Sequence, residues 1–449
     1  MTPHELAACR RRLERFVGEL LAALGHVKQR RWAQVYMRGL LLEGRRKSCQ
    51  PMAERLPDGD EQSLQQLVNQ SPWAWTPMRA AVAQKMTAAL GAPGAWIVDD
   101  TGFPKQGRHS VAVMRQYCPP LGKRANCQVG VSVSYATPHG AMPLDWRLYL
   151  PQEWLEDRAR RAQAGIPAAS VFQTKWQLAL EMIDELRGWQ APEAAVVVAD
   201  AGYGTVTEFR DALTQRGLCY VVQIKSDVGV WTEPVRRTAP APRKAGQSGR
   251  PRVATYHAAP APHSVLEVAL ALPQRAWRTI SWREGAKGKL TSRFAALRVQ
   301  PSHGHWHNRP EQPLVWLLIE WPADEPAPIK YWLSNLPADT SRRTLVGWGK
   351  ARWWIELNYR EMKEHLGLDH FEGRGYAGWH HHVTLVMLAF AFLLAERLRR
   401  GKKGRGQPCP KWWDGSSACL PPGAASASCV ASAFRHLHDH PSPVAHATI

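Results

Sequence analysis

Residues 96–107 read WIVDDTGFPKQG, an apolar run that stops on two adjacent carboxylates, Asp99 and Asp100, and leaves through a Thr-Gly turn toward Pro104 and Lys105. So short and apolar a run reads as a buried strand. Side chains alternate between the two faces of a strand, so only one of the two aspartates can face a given partner. Periodicity alone does not choose between them. Downstream, CQVGVSVSYAT (127–137) and AMPLDWRLYLP (141–151) alternate as two further strands, and VFQTKWQLALEMIDELRGW (171–189) has helical spacing. AAVVVAD (194–200) is a second all-apolar run closed by an aspartate, Asp200. A turn AGYG, a helix TVTEFRDALTQRG and a strand LCYVVQIKSD follow, to residue 227. That order describes one mixed α/β sheet.

Before this block, ELAACRRRLERFVGELLAAL (5–24) and RRWAQVYMRGLLLEG (30–44) place apolar residues three and four apart among arginines. This predicts a helical N-terminal domain over 1–92. Its basic points at Arg10–Arg12, Lys28–Arg31 and Arg45–Lys47 read as a solvated face or as a DNA-docking surface. The α/β core is predicted over 93–227 and again over 329–400. Between its halves, 228–328 opens with the Pro/Gly-rich basic stretch RRTAPAPRKAGQSGRPR (236–252), expected to be a mobile loop. It continues as HSVLEVALAL, WRTISWR, SRFAALRVQ and PLVWLLIEW, four short strands of a β-rich insertion. The core resumes with the strand IKYWLSNLP and with helices from Leu345 to about Leu366 and from Trp379 to Arg400. Residues 401–449 lack periodicity and are expected to be a disordered basic tail.

The chain carries 58 Lys and Arg against 38 Asp and Glu, a formal charge of +20 over 449 residues. Such a balance favours a polyanionic partner such as nucleic acid, whose neutralised phosphates release their counterions, and a membrane surface would also attract it. The longest apolar stretch, Val383–Ala395, is shorter than the roughly 18–20 residues a bilayer requires. A buried helix is expected there, with no membrane partner. The start, MTPHELAACRRRLERF, has no apolar run after its basic residues and does not read as a secretory leader. Eight cysteines without a C-x-x-C pair argue against a disulfide framework or a zinc ribbon and fit a reducing cytoplasm, with the protein on the nucleoid. GAKGKLT (285–291) is too short for a P-loop, so no nucleotide cofactor is expected.

A carboxylate that closes a buried strand either caps the next turn or holds a cation. Here the case occurs twice. A third acid lies in KARWWIELNYREMKEHLGL (350–368): at about 100° per residue, Arg352, Glu356, Tyr359 and Lys363 share one narrow face while Glu361 points away. Alone, that helix reads as a set of surface ion pairs. With two strand-end aspartates in a basic chain, three convergent carboxylates suit hard cations such as Mg²⁺ or Mn²⁺, leaving Arg and Lys to grip phosphate.

At these residues the chain resembles the bacterial insertion-sequence transposases of the DDE type, in the branch with a tyrosine-arginine-glutamate-lysine signature. The likeness rests on DDTG (99–102), VVADAGYG (197–204) and RWWIELNYREMK (352–363), and on HFEGRGYAGWHHHVTL (370–385). In that family the first aspartate directly precedes threonine, which selects Asp100 over Asp99. The resemblance implies a ribonuclease H-like core with helices on both faces of its sheet, interrupted by the insertion. It implies Asp100, Asp200 and Glu356 as catalytic and metal-holding residues. Two Mg²⁺ or Mn²⁺ ions would then activate a water, and later a 3′-hydroxyl, for in-line attack on a phosphodiester. Arg352, Lys363, Tyr359, Arg360 and Lys105 are the candidate DNA contacts. Gly349 stands where the family has its tyrosine, and Tyr359 is the candidate to supply the missing hydroxyl. Trp332 matches a position where some members stack a tryptophan on an extruded base. The implied partners are the terminal inverted repeats of an element and target DNA, held by a homodimer.

Two alternatives stand beside that reading, a transposase-derived DNA-binding regulator and a structure-selective nuclease of the same fold. A regulator has no use for three acids whose mutual repulsion costs stability without a cation. GRPR (249–252) resembles the core of an AT-hook, a match short enough to arise by chance. His380–His382 are adjacent on a helix and cannot converge on one ion, so a packing or DNA-facing role is expected. Because the sheet begins only at Trp96, deletion of residues 1–90 is expected to leave a folded core.

Overall fold

The computed structural model describes residues 3–236, 260–285, 288–302 and 311–401. The GRPR stretch, nearly all of the basic loop and the tail beyond 401 lie outside these residues. Five helices open the chain: α1 (Pro3–Leu21), α2 (Val27–Leu41), α3 (Cys49–Glu54), α4 (Glu61–Asn69) and α5 (Thr76–Leu90). Strands β1 (Ala95–Pro104), β2 (Met114–Cys118), β3 (Lys123–Thr137) and β4 (Gly140–Leu148) follow, then α6 (Gln152–Glu156), α7 (Arg158–Gln163) and α8 (Lys175–Gly188). Next come β5 (Val196–Ala199), α9 (Ala201–Gly204), α10 (Thr207–Gln215) and β6 (Tyr220–Ile224). The insertion holds β7 (Gly229–Trp231), β8 (His263–Ser264), α11 (Val265–Ala271), β9 (Arg278–Gly285), β10 (Gly288–Pro301) and β11 (Val315–Trp321). The described chain closes with β12 (Lys330–Ser334), α12 (Arg342–Lys350), α13 (Trp353–Leu366) and α14 (Tyr376–Gly401).

The core strands lie in the order β4-β3-β1-β5-β6, with β3 antiparallel to β4 and β1, and with β1, β5 and β6 parallel. This mixed α/β sheet is the ribonuclease H-like arrangement expected. The insertion does not form a sheet of its own, because β12 pairs with β6, β11 with β12 and β10 with β11, so its strands prolong the core sheet. Two local expectations need correction. HSVLEVALAL is mostly the helix α11, since Ser264 and Glu267 form a reciprocal capping box that starts a helix where alternation suggested a strand. The single helix expected from Leu345 to Leu366 is two, broken at Ala351–Arg352. Gly347 and Gly349 weaken the end of α12. Gly349 also permits close packing, as a Cβ there would stand 3.3 Å from the Trp332 ring.

The helix α14 is the axis on which the N-terminal helices assemble. Phe16 meets Phe392 edge-on, Trp73 stacks on His381, Trp75 stacks on His380, and Arg12 pairs with Glu396. A window of α14 is long and apolar enough to cross a membrane, yet 83% of it is buried inside the fold. One continuous hydrophobic core therefore runs from α1 through the sheet to α14. His380, His381 and His382 are all buried, which assigns them to packing. Burial pushes His382 down to about 3, so its ring is neutral. Gly367 O can accept only from Nε2–H, at 3.0 Å, which leaves Nδ1 to accept from the Tyr36 hydroxyl at 2.8 Å. Tyr36→Phe strands that nitrogen in an apolar setting and should destabilise the fold by about 1–3 kcal/mol, measurable by urea denaturation. None of the five cysteines among the described residues is in a disulfide.

Candidate active site

Strand alternation separates the two aspartates of β1. Asp99 lies directly opposite Ser132 of β3, and Ser132 shares a 2.8 Å hydrogen bond with the Tyr359 hydroxyl of α13. Two residues along β1 on the same face, Thr101 accepts from Lys363 Nζ at 2.8 Å. The Asp99 face is thus the α13 face. Asp100 turns the other way, where its Oδ2 accepts from Lys175 Nζ at the start of α8 at 2.8 Å and from the Tyr203 hydroxyl at 3.3 Å. The side of the sheet that carries the glutamate helix therefore belongs to Asp99, and the expectation that Asp100 faces it is corrected by the pleat of the strand.

Asp200 reaches the same place from the neighbouring strand. The parallel register sets Val98 beside Ala199, so the next residues, Asp99 and Asp200, are neighbours. Asp200 also caps α9, accepting from the backbone N–H of Gly202 at 2.9 Å and of Tyr203 at 3.3 Å. Capping and proximity to Asp99 coexist. Arg352, at the break before α13, donates from Nη2 to Asp99 Oδ2 at 2.8 Å. Burial works against the Arg352 charge, but Asp99, Asp200 and Glu356 outweigh it and hold the guanidinium above its ordinary value. Those three acids are the charges that act on Arg352, and Asp99 is the one bonded to it. Asp99, only 7% exposed, is pushed up to about 6 by burial, against the pull of Arg352 and with the repulsion of Asp200 and Asp100. The site holds more negative charge than one arginine neutralises.

The other expected contacts are placed differently. Lys363 is committed to Thr101 Oγ1 and to Gly102 O at 2.9 Å, and Lys105 donates to the Phe371 carbonyl. Tyr359 is buried with its hydroxyl on Ser132, so it does not present that hydroxyl at the surface in place of the tyrosine replaced by Gly349. Trp332 is 2% exposed in the middle of the sheet, beneath Gly349, and presents no face for an extruded base. Arg360 and Glu356 are exposed on α13. Three participants were not foreseen: Lys175 and Tyr203, which hold Asp100, and Arg283 of β9, whose guanidinium lies 3.9 Å from the Trp353 ring centroid. No local pattern marks them, because each arrives from a distant segment.

This geometry has relatives. Residues 19–289 match the family described as DDE superfamily endonuclease. The chain belongs to that family. Over 191 residues this DDE superfamily endonuclease is also 29% identical to a probable transposase for insertion sequence element IS701 from Microchaete diplosiphon. That match covers 42% of this chain and 47% of the relative, so the chain spans less than half of the relative's length. The family match takes in Asp99, Asp100 and Asp200 and ends before Glu356. Endonucleases of this superfamily generally use divalent metal ions. The donor set fits such ions in kind, being all carboxylate and over-supplied with charge around Asp99. As placed, no three His, Cys, Asp or Glu side chains among the described residues stand close enough to hold one ion, and Arg352 occupies Asp99.

Proposed function

We propose that the protein is a DNA transposase, which cuts and joins phosphodiester bonds at the ends of an insertion sequence, and that Asp99, Asp200 and Glu356 are the residues that hold its divalent ions. The observation that carries this reading is the placing of Asp99 and Asp200 side by side at two parallel strands, with Arg352 paired to Asp99 and Glu356 four residues on from that arginine, in a chain of charge +20. Bound Mg²⁺ or Mn²⁺, two ions in the scheme the resemblance implies, would supply Lewis-acid activation of a water or a 3′-hydroxyl and stabilisation of the leaving oxygen. The side chains have separate tasks. Asp99 and Asp200 offer adjacent carboxylates from two parallel strands, and Glu356 offers a third from the exposed side of α13. In the free protein Arg352 is paired with Asp99; once it releases Asp99, its planar fork suits a phosphate oxygen of the strand being cut. Lys363 holds α13 to β1 and so fixes the glutamate helix over the aspartates. Lys175 and Tyr203 keep Asp100 turned to the far face, as an orienting rather than a reacting carboxylate. Arg360 and the basic points of α1 and α2 extend the phosphate-binding surface. Joining two ends requires both to be held at once, so the working form is a homodimer on DNA.

The test is an incubation of the purified protein with duplexes taken from the DNA flanking its gene. Cuts at a repeated junction, lost on chelation with EDTA and restored by Mn²⁺, are the expected result. Cleavage of flapped or branched DNA without regard to sequence would favour the nuclease alternative. Binding without cutting under any divalent ion would favour the regulator.

A further inference from the structure

We infer that Arg283, contributed by the insertion, is a second phosphate-binding residue of this site and grips the DNA backbone beside the bond that is cut. The inference rests on the reading just given and adds a residue to it that no signature motif contains.

Arg283 sits on β9, which pairs only with β10 among the described strands. The register slips there, with Leu290 opposite Arg283 but Thr291 opposite Ser281, so Trp282 is an extra residue and the strand bulges next to Arg283. Bulges re-aim side chains. This one accompanies a guanidinium whose carbon lies 3.9 Å from the centroid of the Trp353 ring, at the first turn of the glutamate helix. Trp353 in turn stacks on Trp354 at 4.0 Å. A guanidinium held this close over an indole face is restricted in its motion by the ring, which preorganises its planar N–H fork for an anion.

The fork has no partner within the described residues. Arg283 Nε is buried without a hydrogen-bond acceptor. The nearby cations are already committed: Arg352 to Asp99, Lys363 to Thr101 and Gly102, and Lys350 to Glu320. Burial holds Arg283 below its ordinary value; Glu356, the one charge that acts appreciably on it, favours the cation, yet the two form no ion pair. An arginine held near a metal-binding carboxylate, rigid and unpaired, suits an anion that arrives later. A nucleic-acid phosphate is the anion that a site for phosphodiester cleavage receives.

The experiment compares the full-length protein with Arg283→Gln, Arg283→Lys and Trp353→Leu on a duplex from the gene's flank, in Ca²⁺. Each binding constant is followed against salt, with thermal melting as a control for folding. Arg283→Gln should bind several-fold more weakly, with a salt slope lower by about one, and lysine should not restore affinity because it neither stacks nor forks. Trp353→Leu should give an intermediate loss. With a neutral methylphosphonate scanned along the strand, the wild type should lose affinity at one position where Arg283→Gln loses nothing further. An unchanged slope in a folded Arg283→Gln protein, or equal sensitivity of both proteins at every methylphosphonate, overturns the inference and leaves the arginine as an anchor of the insertion. Should the wild type bind no duplex at all, the transposase reading itself fails, which is a separate result.

Discussion

Asp99→Asn will abolish divalent-ion-dependent DNA cleavage, lowering the rate by about a thousandfold or more, while Asp100→Asn will retain most of it. A thousandfold corresponds to about 4 kcal/mol of transition-state stabilisation, the scale expected when a preorganised charge is removed from a reacting centre. The expectation follows from which face each carboxylate occupies. Asp99 shares its face with Arg352, Glu356 and α13, and register places it beside Asp200; Asp100 is held on the far face by Lys175 and Tyr203. Asp200→Asn and Glu356→Gln should match Asp99→Asn. All four variants should still bind duplex DNA, since removing a negative charge does not weaken contact with a polyanion. Single-turnover cleavage with gel-shift binding in parallel provides the check. If Asp100→Asn is inactive and Asp99→Asn is not, the family pattern, in which the aspartate precedes threonine, outranks the geometry and the proposed ligand set is wrong.

Deletion of residues 1–90, which the start of the sheet at Trp96 suggested would leave a folded core, should instead yield protein that does not fold cooperatively, because α14 packs on the deleted helices. Phe392, His382, His381 and His380 on α14 would lose Phe16, Tyr36, Trp73 and Trp75, and the remaining apolar side of the helix would meet water. Each large apolar side chain so exposed forfeits about 1.5–3 kcal/mol, so half a dozen cost about 9–18 kcal/mol, comparable to the whole of the roughly 5–15 kcal/mol that holds a typical domain together. The Glu396 carboxylate, now without Arg12, adds to the loss. The truncated protein should be insoluble, or soluble with retained helix content and no sharp thermal transition by circular dichroism. A soluble truncation with a cooperative melt would show that the sheet and α14 are self-sufficient.

The sequence by itself determined the alternation of strands and helices that makes the core α/β, the aspartate pair of β1 and the aspartate just after β5, and the helix bearing Glu356 and Lys363, because these follow from local periodicity and composition; that β1 runs on past its aspartates to Pro104 and that Arg352 stands at a helix break came only with the fold. Its charge of +20, a property of composition, is what points to a polyanionic partner. What it left open was a choice of one residue. Asp99 and Asp100 are equivalent in any local pattern; their separation comes from the pairing of β1 with β3 and β5 and from which helix covers which face. The burial of Trp332 and Tyr359 was likewise decided by the strands and helix packed against them, and the same holds for the merging of the insertion's strands into the core sheet. Arg283 is 73 residues before Glu356 in the chain, and no spacing rule links them. Only the tertiary fold brings that cation over Trp353 and within the field of Glu356, because contacts between distant segments are settled by packing and not by any neighbour along the chain.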